Sequence, residues 1–229
     1  MKPDAAMLFA AGHGTRMREL TATRPKALIK VAGKPLIDHA LEQVTQAGVA
    51  RSVVNTFYLG DQLAAHLHQR AGVVVSPETT LLETGGGLRN ALPLLGSDPV
   101  FTMNADAIYK GPNVLDFLAR AWQPEHMDAL LLLVPHARAI GHLKPGDFFL
   151  EDGHLRRRAN ADHAPFIYAS TQIIATDGLK DCPAEAFSLN LYWDQLIAKG
   201  RAFGIEYPGE WVDLGQPESI PLAEDLLGA

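Results

Sequence analysis

Apolar residues recur along this chain in two alternating rhythms. Ala5-Ala6-Met7-Leu8-Phe9 is an unbroken apolar run that stops before Gly12 and Gly14, the pattern of a strand buried on both faces and released into a loop. That loop is expected to run to about Pro25. Pro35 opens a segment in which Ile37, Ala40, Leu41, Val44 and Ala47 fall at helical spacing until Gly48 stops it. Val53 to Phe57 reads as a second strand, Gln62 to Gln69 as a short helix and Val73 to Val75 as a third strand. After an expected loop holding Gly85-Gly86-Gly87, the residues Leu88, Ala91, Leu92 and Leu95 mark a helix and Val100 to Met103 another buried strand. Leu115 to Trp122 reads as helical, and Ala129 to Val134 as a strand closed by Pro135.

Between residues 136 and 175 the rhythm changes to short extended pieces at Phe148–Leu150, Gly153–Leu155 and Phe166–Ile174, which predict a small antiparallel insertion or lid. A helix from about Leu189 to Lys199, a strand near Phe203 to Glu206 and a last helix from about Pro217 to Leu227 complete the chain. Alternating strands and helices imply βαβ crossovers, so the expected fold is α/β, with a mixed, mostly parallel sheet in a three-layer α/β/α arrangement. No repeat or flexible linker interrupts residues 1–229, which are expected to form a single domain.

Composition narrows the chemistry. With 229 residues, 47% hydrophobic and 20% charged, the chain can bury a full core, which excludes a disordered protein. No apolar stretch is long enough to cross a bilayer, and Met1-Lys2-Pro3-Asp4 lacks the build of a signal peptide, so a cytoplasmic protein without a membrane partner is expected. Cys182 is the only cysteine, which excludes an internal disulfide and a cysteine-rich zinc site; Asp181-Cys182-Pro183 reads as a turn. The net charge of −6 speaks against a nucleic-acid partner, but residues 1–34 carry seven basic side chains and two acidic ones. A basic segment on an acidic body suits either a focused site for a compact polyanion or a solvated basic surface.

The glycine-rich turn Ala10-Ala11-Gly12-His13-Gly14-Thr15-Arg16-Met17 lies inside that basic segment, directly after the first strand. Small residues let backbone N–H groups approach a phosphate, and successive N–H groups form an anion-binding nest. The dinucleotide fingerprint fails at Met17, and no Walker sequence is present. Together with Pro25-Lys26-Ala27-Leu28 and Val31-Ala32-Gly33-Lys34-Pro35-Leu36-Ile37, the turn resembles the signature of the sugar-1-phosphate nucleotidyltransferases, the sugar-nucleotide pyrophosphorylases. Three later segments resemble further elements of that family: Ser76-Pro77-Glu78 with Leu82-Glu83-Thr84-Gly85-Gly86-Gly87, Met103-Asn104-Ala105-Asp106, and Trp211-Val212-Asp213-Leu214-Gly215.

The resemblance implies a Rossmann-like nucleotidyltransferase domain that uses Mg²⁺, a nucleoside triphosphate and a sugar-1-phosphate, acting as a monomer or small homo-oligomer. It implies that the backbone of Ala10, Ala11, Gly12, His13, Gly14 and Thr15 cradles the triphosphate, with Arg16 and Lys26 as fixed positive charges. Asp106 and Asp213 would be the magnesium ligands. Glu78, Glu83, Thr84 and Gly85 would meet base and ribose, and Gly146, Asp147 and Ser170 the sugar. Within the family the resemblance points to UTP and N-acetylmuramate-1-phosphate, in the setting of peptidoglycan recycling. GTP with mannose-1-phosphate, dTTP with glucose-1-phosphate, CTP with phosphocholine and a non-catalytic nucleotide-binding regulator stand as alternatives.

Read as residues alone, several of these positions have plainer roles. Asp106 suits the N-cap of a short turn, Asp213 a salt bridge to an arginine, Arg16 and Lys26 surface charges, and Glu78 and Glu83 solvent. If the sugar carries a lactyl carboxylate, Lys144 or one of Arg156-Arg157-Arg158 would meet it, although three adjacent arginines more often form a solvated face. Two departures stand out: Ala105 replaces a glycine of the family, and Tyr168-Ala169-Ser170-Thr171-Gln172-Ile173 lacks another beside the sugar. His66 and His68 fall on different helix faces, which argues against a zinc pair, and His13 is the one histidine expected near substrate.

Overall fold

The computed structural model describes residues 2–182 and 185–229. Pro183, read above into a turn, lies outside the described residues. The strands, in chain order, are β1 (Ala5–Phe9), β2 (Lys30–Val31), β3 (Lys34–Pro35), β4 (Arg51–Thr56), β5 (Val73–Pro77), β6 (Val100–Asn104), β7 (Ala107–Lys110), β8 (Ala129–Pro135), β9 (Ala139–Ile140), β10 (Phe148–Glu151), β11 (His154–Arg157), β12 (Phe166–Ile174), β13 (Ala202–Glu206) and β14 (Glu210–Asp213). The helices are α1 (Leu36–Gln46), α2 (Gly60–Leu67), α3 (Glu83–Leu95), α4 (Val114–Ala121), α5 (Leu189–Ala198) and α6 (Ser219–Leu227).

Nine strands form one sheet in the order β10-β11-β13-β8-β12-β6-β1-β4-β5, and all but β11 and β12 run in the same direction. Strand alternation sends Ala6 and Leu8 of β1 to one face and Ala5 and Met7 to the other. Both faces are covered. Leu41, Leu63 and Leu118, from α1, α2 and α4, pack on the first, and Leu88 and Leu196, from α3 and α5, on the second. This double burial explains the continuous apolar run of β8, whose Leu130 and Leu132 face one side and Leu131 and Leu133 the other. The three-layer α/β expectation holds. Among the described residues no helix is long and apolar enough to cross a membrane.

Three expectations are corrected. Gly85, Gly86 and Gly87 lie inside α3 and not in a loop before it; a Cβ on Gly85 would sit 2.3 Å from the Phe187 ring, so glycine lets this helix approach the 187 segment. β12 is not part of a peripheral insertion but runs antiparallel between β6 and β8 in the middle of the sheet. Its polar residues disguised it: Gln172 donates to the Thr102 hydroxyl at 3.0 Å and accepts from the Trp193 indole at 2.9 Å, so they are paired within the core. The third correction is a sheet absent from the sequence reading, in which β14 pairs antiparallel with β7 and parallel with β9.

Candidate active site

A cleft opens at the C-terminal ends of β1 and β6, which are parallel neighbours. It has two contiguous cavities, of about 450 and 300 Å³. Phe9, Arg16, Thr84, Asn104, Asp106 and Ser188 line both and mark the seam between them.

The turn after β1 forms one wall of the larger cavity. Gly14 takes a left-handed conformation (φ +64°), while a Cβ at Gly12 would meet nothing within 4 Å, so the main chain there borders open space. The Ala10 N–H is held by the Asn55 side chain at 2.7 Å. The N–H groups of Ala11, Gly12, His13 and Gly14 have no partner among the described residues and remain free to donate. Consecutive free donors around a left-handed residue make an anion nest.

Asp106 follows β6 and Asp213 ends β14. The two segments are joined by the Leu214 N–H, which donates to the Asp106 carbonyl at 3.1 Å. Lys26 Nζ donates to Asp106 Oδ2 at 2.6 Å. His142 Nδ1 lies 3.2 Å from Asp213 Oδ2, and because an ionised carboxylate only accepts, the imidazole is the donor. Burial acts to raise the Asp213 carboxyl, but the His142 hydrogen bond and the positive charges of His142, Lys26 and Arg16 outweigh it and hold the group below the usual carboxylate value. The Arg16 guanidinium has no hydrogen-bond partner among the described residues and faces both cavities. Free positive charge and backbone donors facing paired carboxylates can hold polyphosphate oxygens on one side and a hard cation on the other.

Residues 6–175 match the MobA-like NTP transferase domain family. The chain belongs to that family. The transferase is 41% identical to the N-acetylmuramate alpha-1-phosphate uridylyltransferase of Caulobacter vibrioides, over 98% of this chain and 97% of the relative. It is 34% identical to the enzyme of the same name from Neisseria meningitidis serogroup B, over 98% of each chain. A Bacillus anthracis structure, provisionally described as a glucose-1-phosphate thymidylyltransferase, superposes with a TM-score of 0.82 over 97% of this chain and 94% of that one; at 16% identity it shows a shared fold. The transferase is therefore a sugar-1-phosphate nucleotidyltransferase by family, as the sequence motifs implied.

The transferase brings Ala10, Ala11, Gly12, Gly14, Thr15, Arg16, Lys26, Glu83, Thr84 and Asp106 together around the larger cavity. Asp106, Asp147, Ser170 and Asp213 line the smaller one. Three expected contact residues are placed elsewhere, and His13 keeps only its main chain at the turn. The His13 ring turns from the cleft to pack against Phe57 and Tyr58. Glu78 is buried behind the wall, where its carboxylate accepts from Asn55 at 2.7 Å and from the Leu82 N–H at 3.0 Å. Gly85 donates its N–H to the Phe187 carbonyl at 2.8 Å, and at Gly146 (φ +82°) a Cβ would strike the Ala164 carbonyl, so both are packing positions.

Asn55, His142 and Trp193 line the cleft without having been singled out. Asn55 is one of three buried polar residues of β4, and nothing in the sequence separates it from Ser52 and Thr56; His142 offers no signal either, because only the fold brings it to Asp213. The three arginines divide. Arg156 pairs with Glu151 outside, whereas Arg157, on the opposite strand face, bonds Asp194 and Asn190 and lines the smaller cavity.

Proposed function

We propose that the transferase catalyses uridylyl transfer from UTP to N-acetylmuramate α-1-phosphate, yielding a nucleotide sugar and pyrophosphate. The near full-length similarity to two uridylyltransferases of that name supports the substrate pair. The observation that carries the chemistry is the cleft itself, two cavities that meet at Arg16 and Asp106.

In this reading the larger cavity takes the triphosphate and the smaller one the sugar phosphate. An acceptor phosphate oxygen attacks the α-phosphorus, the new P–O bond forms as the α–β bridging bond breaks, and pyrophosphate leaves with its negative charge. Such phosphoryl chemistry needs alignment and charge neutralisation more than covalent help. The free N–H groups of residues 11–14 bind the triphosphate, and Arg16, facing both cavities, draws donor and acceptor phosphates together. Lys26 serves as a fixed charge beside Asp106.

Asp106 and Asp213 fit a magnesium site: both offer hard carboxylate oxygens from adjoining segments, and both side chains stay partly open to the smaller cavity. When bound there, Mg²⁺ would neutralise phosphate charge and polarise the α-phosphoryl group. The strands of the main sheet come from residue 5 to residue 206, which supports the whole chain acting as one domain. The nucleoside triphosphate requirement is consistent with a cytoplasmic enzyme.

The test is pyrophosphate release by purified protein with Mg²⁺ across a grid of nucleoside triphosphates and acceptors. Highest turnover for UTP with N-acetylmuramate-1-phosphate is expected. A preference for GTP with mannose-1-phosphate, dTTP with glucose-1-phosphate or CTP with phosphocholine overturns the substrate pair; nucleotide binding with no turnover overturns catalysis.

A further inference from the structure

The smaller cavity is lined by charged groups whose commitments differ. Asp106 is engaged by Lys26, Asp213 by His142, and Asp147 accepts from the Tyr168 N–H at 3.0 Å. Arg157 is spent on the wall: it donates to Asp194 at 2.7 Å and to Asn190 at 2.8 Å, and its guanidinium lies over the Phe148 ring at 4.9 Å. Lys144 also lines this cavity, yet its ammonium has no ion pair or hydrogen bond among the described residues. Its main chain is anchored, because His136 Nε2 lies 2.9 Å from its carbonyl oxygen. The sugar side thus offers one uncommitted cation on a tethered loop, apart from the Arg16 at the seam with the phosphate side.

We propose that Lys144 is the residue that selects a carboxylate-bearing acceptor. The inference rests on the acceptor assignment above and deepens it. N-acetylmuramate is N-acetylglucosamine carrying a lactyl ether, so the two 1-phosphates differ by that lactyl group, whose carboxylate is the one added charge. A carboxylate entering a cavity that already holds three aspartates needs a positive partner to offset repulsion and lost hydration. Among the described residues the other cations of this cavity are already engaged, apart from Arg16 at its seam with the phosphate side. A lysine ammonium, compact and mounted on a flexible stem, can follow the lactyl group without imposing the planar fork of an arginine. Lys144 is exposed, so solvent and salt screen the pair. The expected effect is accordingly modest, about tenfold.

The experiment compares kcat/KM for N-acetylmuramate-1-phosphate with that for N-acetylglucosamine-1-phosphate, using UTP and Mg²⁺, in the wild-type chain, Lys144→Met and Lys144→Arg. The wild type is expected to favour the lactyl-bearing acceptor. In Lys144→Met the ratio falls about tenfold, carried by KM and not kcat, since the contact is made before and during transfer alike. Lys144→Arg recovers most of it. Added salt erodes the ratio in the wild type and leaves that of Lys144→Met nearly flat. A Lys144→Met variant whose ratio is unchanged, or whose activity falls equally on both acceptors, overturns the role of Lys144 alone. A wild type with no preference for the lactyl-bearing acceptor overturns the acceptor reading, and this inference with it.

Discussion

The Lys26 ammonium lies 2.6 Å from a carboxylate oxygen of Asp106, although eighty positions separate the two in the chain. The pair sits at the boundary of the two cavities, with the lysine side chain 13% exposed and the aspartate 29%. Each neutralises the other; in the proposed reading, binding of phosphate and a cation would give Lys26 an anionic partner and Asp106 a cationic one.

Asp106→Asn keeps the size of the side chain and an oxygen acceptor for Lys26 but removes the charge a cation needs. Losing one ligand of a site worth several kcal/mol of transition-state stabilisation lowers kcat by at least about a hundredfold. Circular dichroism should show a native fold. Wild-type turnover in this variant, at saturating Mg²⁺, would remove Asp106 from the metal site.

Ser170 has a left-handed conformation (φ +62°) at the bulge where β12 shifts register against β8. The buried Tyr109 hydroxyl pins this bulge by donating to the Ala169 carbonyl at 2.7 Å, with the Thr171 hydroxyl 2.9 Å away. The backbone therefore keeps a glycine-like geometry where the sequence lacks glycine. A non-glycine residue in this region costs about 1–2 kcal/mol, and glycine gives back about 0.4–1 through its freer unfolded chain. Ser170→Gly should raise stability by up to about 1 kcal/mol in urea unfolding. A loss of stability would mean that the serine hydroxyl makes a contact worth more than the strain.

At Gly85 the sign of the effect is the test. Alanine in place of glycine inside a helix ordinarily gains about 1 kcal/mol. Here the added Cβ would sit 2.3 Å from Phe187 Cε2 and 2.9 Å from the Phe187 carbonyl oxygen. Overpacking of this kind costs about 1–3 kcal/mol. Gly85→Ala is expected to lower stability by about 1 kcal/mol, and by up to about 2 if the Phe187 segment does not yield. It should also raise KM for the triphosphate, because the neighbouring Thr84 lines the cleft and holds the Leu189 N–H at 2.9 Å. A more stable Gly85→Ala protein would show that the 187 segment yields.

What could be read from the chain depended on whether a signal was local. The first turn was legible as a turn because an apolar run gives way at once to a stretch of mostly small residues, Ala10 to Thr15, interrupted by His13. β1 and β8 were legible because burial on both faces leaves an unbroken apolar run. β12 was misplaced because Thr171 and Gln172 find their partners in Tyr109, Thr102 and Trp193, far away in sequence. The sheet that carries Asp213 escaped notice for the same reason, since β7 and β14 are four residues each and pair across about a hundred positions. Glu78 matched a motif and yet faces inward, because a motif records that a carboxylate is present and not which side of the wall it occupies.

The pairing of His142 with Asp213 makes a prediction in acid. The folded-state pKa of Asp213 lies below its ordinary value, so the carboxylate stabilises the fold above about pH 4 and this contribution is lost as pH falls through the lower folded value. His142→Gln removes the imidazole while keeping a polar group in a position where, among the described residues, His142 Nε2 is buried without a partner. Burial of the carboxylate is then opposed only by Lys26 and Arg16, and the folded pKa rises. Urea unfolding of both proteins at pH 7, 4 and 3 isolates the change, because every other carboxylate is common to the two. The wild type should start more stable at pH 7 and lose more on acidification, so that the two curves converge towards pH 3. The acid limb of the transfer rate should move to higher pH in the variant, since Asp213 must be ionised to hold a cation. Stability curves that stay parallel from pH 7 to 3 would mean that His142 does not set the charge state of Asp213.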